Sequence, residues 1–349
     1  MDSNLPRKRG ARPSVRPGPL DSLVHVQETI VDFEHSTPAP EPLPLDPGFG
    51  ECLSETTTHQ SQAWAKHKRD AQQLVKNLSK AKGAEYAGKI SRCCTELNLY
   101  QYPDSDALKV RPWESCKKRW CPVCSWVKSQ QRWILANERL PALIDGAGQR
   151  LRWRLLTLTV QNCSGADLRQ TTRSMLKAFR KMTQHQSWDS LGWIRALEVT
   201  HNPTATTFHP HIHVLTAGPW ANARIEQSEW AAKWQKAAGL DYLPVVDIRA
   251  VNRRKGAGSE HSDALGGLQE VAKYTLKPAN LKDASAVDLV EAIEGLSGLR
   301  LVEGGGFLRG VFAKRTEAEK DAVGDEQGKA RGVFWWRASY QRYRRKIGE

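Results

Sequence analysis

The stretch Phe208-His209-Pro210-His211-Ile212-His213-Val214-Leu215 decides how this chain is read. Its aliphatic and β-branched character predicts a strand. Alternate residues of a strand face the same side. His209, His211 and His213 therefore share one face, while Ile212 and Val214 point into a core. Imidazoles gathered at this spacing make a metal site; packed core histidines are the plainer alternative. Just upstream, Trp193 to Thr200 (WIRALEVT) predicts another strand, followed by a turn at Asn202-Pro203-Thr204. A hairpin there sets Glu198 beside His211 or His213. Glu198 lies between Leu197 and Val199, so its carboxylate either faces water or serves a site. Imidazoles plus one carboxylate, with positions left open for water, suit Mn²⁺ and, less comfortably, Mg²⁺.

Outward from this hairpin the pattern stays regular. Trp153 to Val160 predicts a strand, and Asp167 to His185 a helix with Leu168, Met175, Leu176 and Phe179 inward. Ala223 to Ala238 predicts a helix carrying Trp230 and Trp234 one turn apart. Leu243 to Val251 predicts a strand and Leu265 to Leu276 a helix. The order βαββαβ plus a helix predicts an α+β fold, one layer of helices on a central, mainly antiparallel sheet.

The last helix carries Glu270-Val271-Ala272-Lys273-Tyr274-Thr275-Leu276-Lys277. Glu270 and Tyr274 are one helical turn apart, as are Lys273 and Lys277. A tyrosine hydroxyl can attack phosphorus, but near neutrality it needs a metal or cations to assist it. A Tyr on an amphipathic helix more often only packs, so its meaning rests on the histidine strand.

Cys116, Cys121 and Cys124, with Cys93 or Cys94 upstream, fit a structural Zn²⁺ ribbon. The segment leading out of it, Ser125 to Leu140, predicts a helix ending at Pro141. Lys117, Lys118 and Arg119 give the knuckle a basic surface suited to DNA. Cys52 and Cys163 stand apart.

The net charge of +14 is uneven: residues 1–60 hold five Lys/Arg and nine Asp/Glu, so the remainder carries +18. A basic folded portion suggests a polyanionic partner. Nine of the 18 prolines fall in residues 1–50, which read as disordered. The Gly304-Gly305-Gly306 run reads as a loop. From Arg331 onward the chain is basic and aromatic, including Trp335, Trp336, Arg344 and Arg345, and reads as a helix or tail able to grip nucleic acid. With no apolar run long enough for a bilayer and no secretory signal at Met1 to Gly10, a cytoplasmic location without membrane contact is expected. The expected divisions are a tail at 1–60, a helical and zinc-knuckle region at 61–145, a core at 146–280 and a basic extension at 281–349.

Three segments in order resemble the rolling-circle replication initiators of small bacterial plasmids, within the HUH endonuclease superfamily. They are Leu155 to Val160, His209 to Leu215 and Glu270 to Lys277. The resemblance covers roughly residues 90–280 and implies an RRM/ferredoxin-like HUH core that nicks origin DNA. It implies that His211 and His213 bind the metal, with Glu198 as third ligand and His209 in support. It implies that Tyr274 keeps the 5′ phosphate and frees a 3′ hydroxyl, that Glu270 acts as base and that Lys273 or Lys277 contacts phosphate. The region of Cys93 to Cys124 is similar to the N-terminal part of the same initiators, whose first cysteine aligns better with Cys93. Host helicase and polymerase are expected partners, because no G-x-x-x-x-G-K-[ST] loop occurs. The competing readings are a non-catalytic zinc-containing DNA-binding protein and a related transposase or relaxase. Relaxases usually place the tyrosine before the histidines.

Overall fold

The computed structural model describes residues 49–53, 60–80, 83–101, 108–112, 114–185, 188, 190–219, 226–251, 260–272, 284–313 and 329–347. The first half of the chain gives β1 (Phe49–Cys52), α1 (Gln60–Leu78), α2 (Ala84–Ser91), β2 (Glu96–Gln101), β3 (Leu108–Pro112) and α3 (Pro122–Asp145). Next come β4 (Leu151–Thr159), α4 (Gly165–Thr183), β5 (Gly192–Asn202), β6 (Thr207–Pro219), α5 (Gln227–Ala238), β7 (Val246–Ala250) and α6 (Glu260–Ala272). Then α7 (Ala286–Leu296), β8 (Val302–Gly306), β9 (Lys329–Arg337) and β10 (Arg342–Lys346) follow. The strands form two antiparallel sheets, β1-β10-β9-β2-β3 and β7-β4-β6-β5-β8.

Strand alternation sorts the second sheet into two faces. Leu156, Leu158, Leu197, Val199, Ile212 and Val214 pack against α4, α5 and α7. The Trp234 indole on α5 donates to the Thr159 carbonyl at 2.8 Å, so the helix is pinned as well as packed. Ser164 caps α4 by accepting from the Asp167 N–H, and Ser285 with Asp288 forms a capping box on α7. Ile194, Ala196, Leu215 and Ala217 face the other way and meet Ala264, Leu268 and Val271 of α6 and Trp133, Ala136 and Leu140 of α3.

The expected single layer of helices is thus corrected: helices cover both faces. The cause lies in β6 itself. Its odd-numbered row begins with imidazoles and ends with Leu215 and Ala217, and that apolar end needs cover.

Other expectations change as well. The Gly304-Gly305-Gly306 run is part of edge strand β8, not a loop, and Gly304 to Gly306 pair with Ile194 to Gly192. Glycine is required there because the Trp193 ring lies against the strand; a Cβ on Gly305 would sit 2.2 Å from Trp193 Cζ2. Through α7 and β8 the core sheet and its packing extend past residue 280, the expected boundary. The C-terminal segment is a β-hairpin rather than a helix or tail, and it joins β2 from the first half. β1, inside the expected tail, pairs with β10. The helix after the cysteines runs through Pro141 to Asp145.

Replacing Gly305 by Val raises local strand propensity, yet it is expected to destabilise the protein by ~1–3 kcal/mol through overpacking on Trp193. A lower urea midpoint at unchanged slope would show this. An unchanged or raised midpoint would refute the packing argument.

Candidate metal centres

Three adjacent strands build the first centre. Glu198 on β5 pairs with His211 on β6, and His213 pairs with Ala196. On the other flank, Thr159 pairs with His211 and Thr157 with His213. Paired residues share a face, so carboxylate, imidazoles and threonines form one patch of the sheet. Glu198 Oε2 lies 2.8 Å from His211 Nε2 and 3.0 Å from His213 Nε2. One donor atom from each of the three residues lies within 4.8 Å of the others.

The rings are oriented from behind. His211 Nδ1 donates to the His209 carbonyl at 3.1 Å. A carbonyl can only accept, so the Nδ1 of a neutral His211 carries the hydrogen and its Nε2 lone pair faces Glu198. His213 Nδ1 meets the Thr157 hydroxyl at 3.2 Å. In a neutral His211 held this way, an Nε2 lone pair faces the Glu198 carboxylate, acceptor against acceptor. A cation satisfies that arrangement, so the donor set fits a divalent ion.

Burial fixes the electrostatics. The Glu198 side chain is 4% exposed. Burial pushes its pKa up, but the hydrogen bonds and charge of His211 and His213 in their protonated forms outweigh this and hold it at about 2. Burial lowers the His213 pKa, against the opposing pull of Glu198. The His209 pKa is also lowered, by burial and by the neighbouring His211.

The other expected site residues are placed as follows. His209 shares the face and its ring centroid lies 5.3 Å from that of His211, but it is outside the three-donor group. Glu270 is in the last turn of α6, near enough for its charge to favour the protonated form of His213. Lys273, Tyr274 and Lys277 lie outside the described residues. The sequence reading missed Thr157; its signal is a polar residue on the histidine-facing row of an otherwise apolar strand. It also missed a rim beyond β4. There Val245 and Leu243 are 75% and 63% exposed. That segment is tied to β4 by Thr159 Oγ1 donating to the Val245 carbonyl at 2.7 Å, and the Gln161 N–H donates to the Tyr242 hydroxyl at 2.8 Å.

The second centre joins Cys93, Cys116, Cys121 and Cys124. Their sulfurs are 3.4 Å apart for Cys93 and Cys124, and 3.6 Å for both Cys116–Cys124 and Cys121–Cys93. Cys94 is outside this group of four, although its sulfur is 3.6 Å from that of Cys93. Its carbonyl instead accepts the Tyr343 hydroxyl at 2.5 Å. Beneath the cluster lies Lys68, 1% exposed. It donates to the Cys93 and Ser91 carbonyls and to Thr95 Oγ1. Burial lowers its pKa, and the charges of Cys93, Cys94, Cys121 and Cys116 pull it back up. Sequence missed Lys68 too; its signal is a lysine one turn after Trp64 on the buried stripe of α1.

The expected DNA-contacting residues divide. Lys118 lies over the Trp120 ring at 5.8 Å, and Lys117 has a left-handed backbone (φ 53). Arg119 points inward and donates to the Leu296 and Leu299 carbonyls at the end of α7. Arg344 donates to the Gly50 carbonyl at 3.0 Å, and Arg345 is exposed at the end of β10.

Comparison with known proteins settles the lineage. Residues 107–344 match the family described as "Replication protein". The chain belongs to that family. The resemblance to plasmid replication initiators therefore holds at family level. A "Protein rep" of Bacillus amyloliquefaciens is 33% identical over 302 residues, covering 78% of this chain and 86% of its own length. A "Protein rep" of Lentilactobacillus hilgardii is 32% identical, covering 66% and 75%. One of Streptococcus pneumoniae is 29% identical, covering 68% and 74%. No solved structure matches. Among the described residues, no helix is long and apolar enough to cross a membrane.

Thr157→Val is expected to weaken Mn²⁺ binding ~10-fold by releasing the His213 ring. Burial lowers the His213 pKa below 6.5, so its lone pair stays available on mild acidification. Affinity should fall steeply only when the pH drops through that lowered value. Calorimetric titration of both proteins at stepped pH tests this; equal affinities, or a collapse well above pH 6.5, would contradict it.

Proposed function

We propose that this chain initiates rolling-circle replication of a plasmid by nicking and rejoining one strand of its origin. The observation that carries the reading is the buried convergence of Glu198, His211 and His213 on one sheet face, with Glu270 of α6 close by. The order β7-β4-β6-β5 supports an RRM/ferredoxin-like core, since a βαββαβ chain of that type places its fourth, first, third and second strands in that sequence. Family membership supports the replication role.

In this proposal Glu198, His211 and His213 hold Mn²⁺ or Mg²⁺, which supplies Lewis-acid polarisation of the scissile phosphate. The Tyr274 hydroxyl attacks phosphorus. Its oxygen forms the new bond, the bond to the 3′ oxygen breaks, and the 3′ oxygen takes up a proton. The 5′ phosphate stays on Tyr274, and the free 3′ hydroxyl primes synthesis by a host polymerase behind a host helicase. Lys273 and Lys277 offset charge on the phosphate. Glu270, one turn before the tyrosine, takes the proton from water in the closing step. His209 supports the His211 ring.

The four cysteines are proposed to hold structural Zn²⁺. Thiolates ~2.3 Å from a tetrahedral zinc stand ~3.8 Å apart, close to the sulfur separations here. Lys117, Lys118 and Arg345 are proposed to reach DNA phosphate in the cytoplasm.

Supercoiled plasmid carrying its own origin tests the mechanism. With Mn²⁺, the protein is expected to yield open circles and a peptide bearing DNA on Tyr274, mapped by mass spectrometry. Tyr274→Phe should lose both products while still binding origin DNA. His211→Ala should slow nicking ~100-fold or more, the loss of several kcal/mol of charge stabilisation. If the unaltered protein gives neither open circles nor adduct with Mn²⁺ or Mg²⁺, the reading fails.

A further inference from the structure

The sheet β1-β10-β9-β2-β3 has two faces, and the core uses one of them. Leu97, Leu99, Phe334, Trp336 and Tyr343 are buried in the cluster that includes Leu53 and Trp64. Register assigns the alternate residues to the outer face. Arg342 pairs with Arg337 and Arg344 with Trp335. Trp335 pairs with Glu96 and Val333 with Asn98, and Asn98 pairs with Arg111. Phe49, opposite Lys346, lies on the same side, since the Arg337 guanidinium is 4.1 Å from its ring centroid.

The outer face therefore carries Arg111, Arg337, Arg342, Arg344 and Lys346. Glu51 and Glu96 are the carboxylates that alternate with them on the described strands. Among the cations lie the rings of Phe49, Tyr100 and Trp335, all half-buried. The Arg111 guanidinium lies 5.4 Å from the Tyr100 centroid. None of these residues belongs to either metal centre.

We propose that this outer face is a docking surface for single-stranded DNA, separate from the site that nicks it. Charge complementarity selects a polyanion. The rings and guanidinium planes select unpaired bases, because a duplex buries its base faces in its own stack while a single strand offers them for stacking. Trp335 is level with Glu96, and Tyr100 is four residues further along β2. At 3.3–3.4 Å per residue the two rings stand ~13 Å apart along the strands, so separate bases of one extended strand can reach both. The surface would hold the strand that initiation leaves unpaired, and in that respect it rests on the proposed function.

The test uses the full chain and a labelled oligothymidylate of roughly 20 nucleotides, longer than one such site. Arg111→Gln with Arg342→Gln is expected to weaken binding at least tenfold. It should also flatten the plot of log affinity against log salt by about 1.4, at ~0.7 per lost phosphate contact. Trp335→Leu should weaken binding about tenfold with little change in that slope. Lys177→Gln, on the exposed side of α4, should change neither. All three should nick a saturating short oligonucleotide spanning the origin site at the normal rate. If the double variant fails to fold, Lys346→Gln at the exposed strand end provides the same readout, with a slope change of about 0.7. Unchanged affinity and slope in the arginine and Trp335 variants would overturn the proposal. So would a duplex of equal length that competes as well as the single strand. A protein that binds the oligothymidylate through this face but never nicks would instead sink the proposed function and leave this surface standing.

Discussion

A carboxylate with 4% of its side chain exposed survives in this protein because two imidazoles meet it on the same strip of sheet. Unpaired, that charge would cost several kcal/mol to bury. The constraint reaches far into the fold. Glu198 needs His211 directly across the hairpin, and His213 needs Thr157 across the other ladder. The strand bearing the imidazoles must therefore be central, flanked on both sides. A central strand has both faces to cover, so α4 and α5 close one and α6 with α3 closes part of the other. The uncovered remainder of the second face is the patch of Glu198, His211 and His213. The candidate site sits where the apolar half of a strand ends.

Much of this was legible because it is local. Alternation in Phe208 to Leu215 placed the imidazoles together, and the hairpin set Glu198 beside them, either facing water or serving a site. The helix carrying Trp230 and Trp234 one turn apart was legible from spacing, and the structure adds that both rings are buried. What escaped was pairing between distant parts of the chain. β2 finds its partner in β9, more than two hundred residues later, and no window around either strand reveals that. The Arg- and Trp-rich ending reads as a helix or tail because its alternation is masked by cations on the solvent side. The glycine run of β8 looks like a loop until the Trp193 ring that excludes side chains there is seen. Tyr274, the expected nucleophile, lies outside the described residues.

The cysteine cluster and the core are held together by buried cations rather than by apolar contact alone. Lys68 brings a positive charge into the same low-dielectric region as the cysteine sulfurs. Its hydrogen bonds to the Cys93 and Ser91 carbonyls hold the backbone from which the first sulfur projects. Arg119, from the knuckle itself, donates to carbonyls at the end of α7. Lysine and arginine are used in their characteristic ways, one as a compact charge and the other as a fork for several carbonyls.

β1 and β10 lie side by side in one sheet, and the Tyr343 hydroxyl closes on the Cys94 carbonyl. A ribosome releases the partner of the earliest described strand about 290 residues after that strand. Domains usually mature in the order they are made, but here the leading half must wait, its edge strands open, while the sheet bearing the histidines can already form. A nascent or prematurely terminated chain would thus have the histidine patch assembled while the sheet beside the cysteines still lacked its middle.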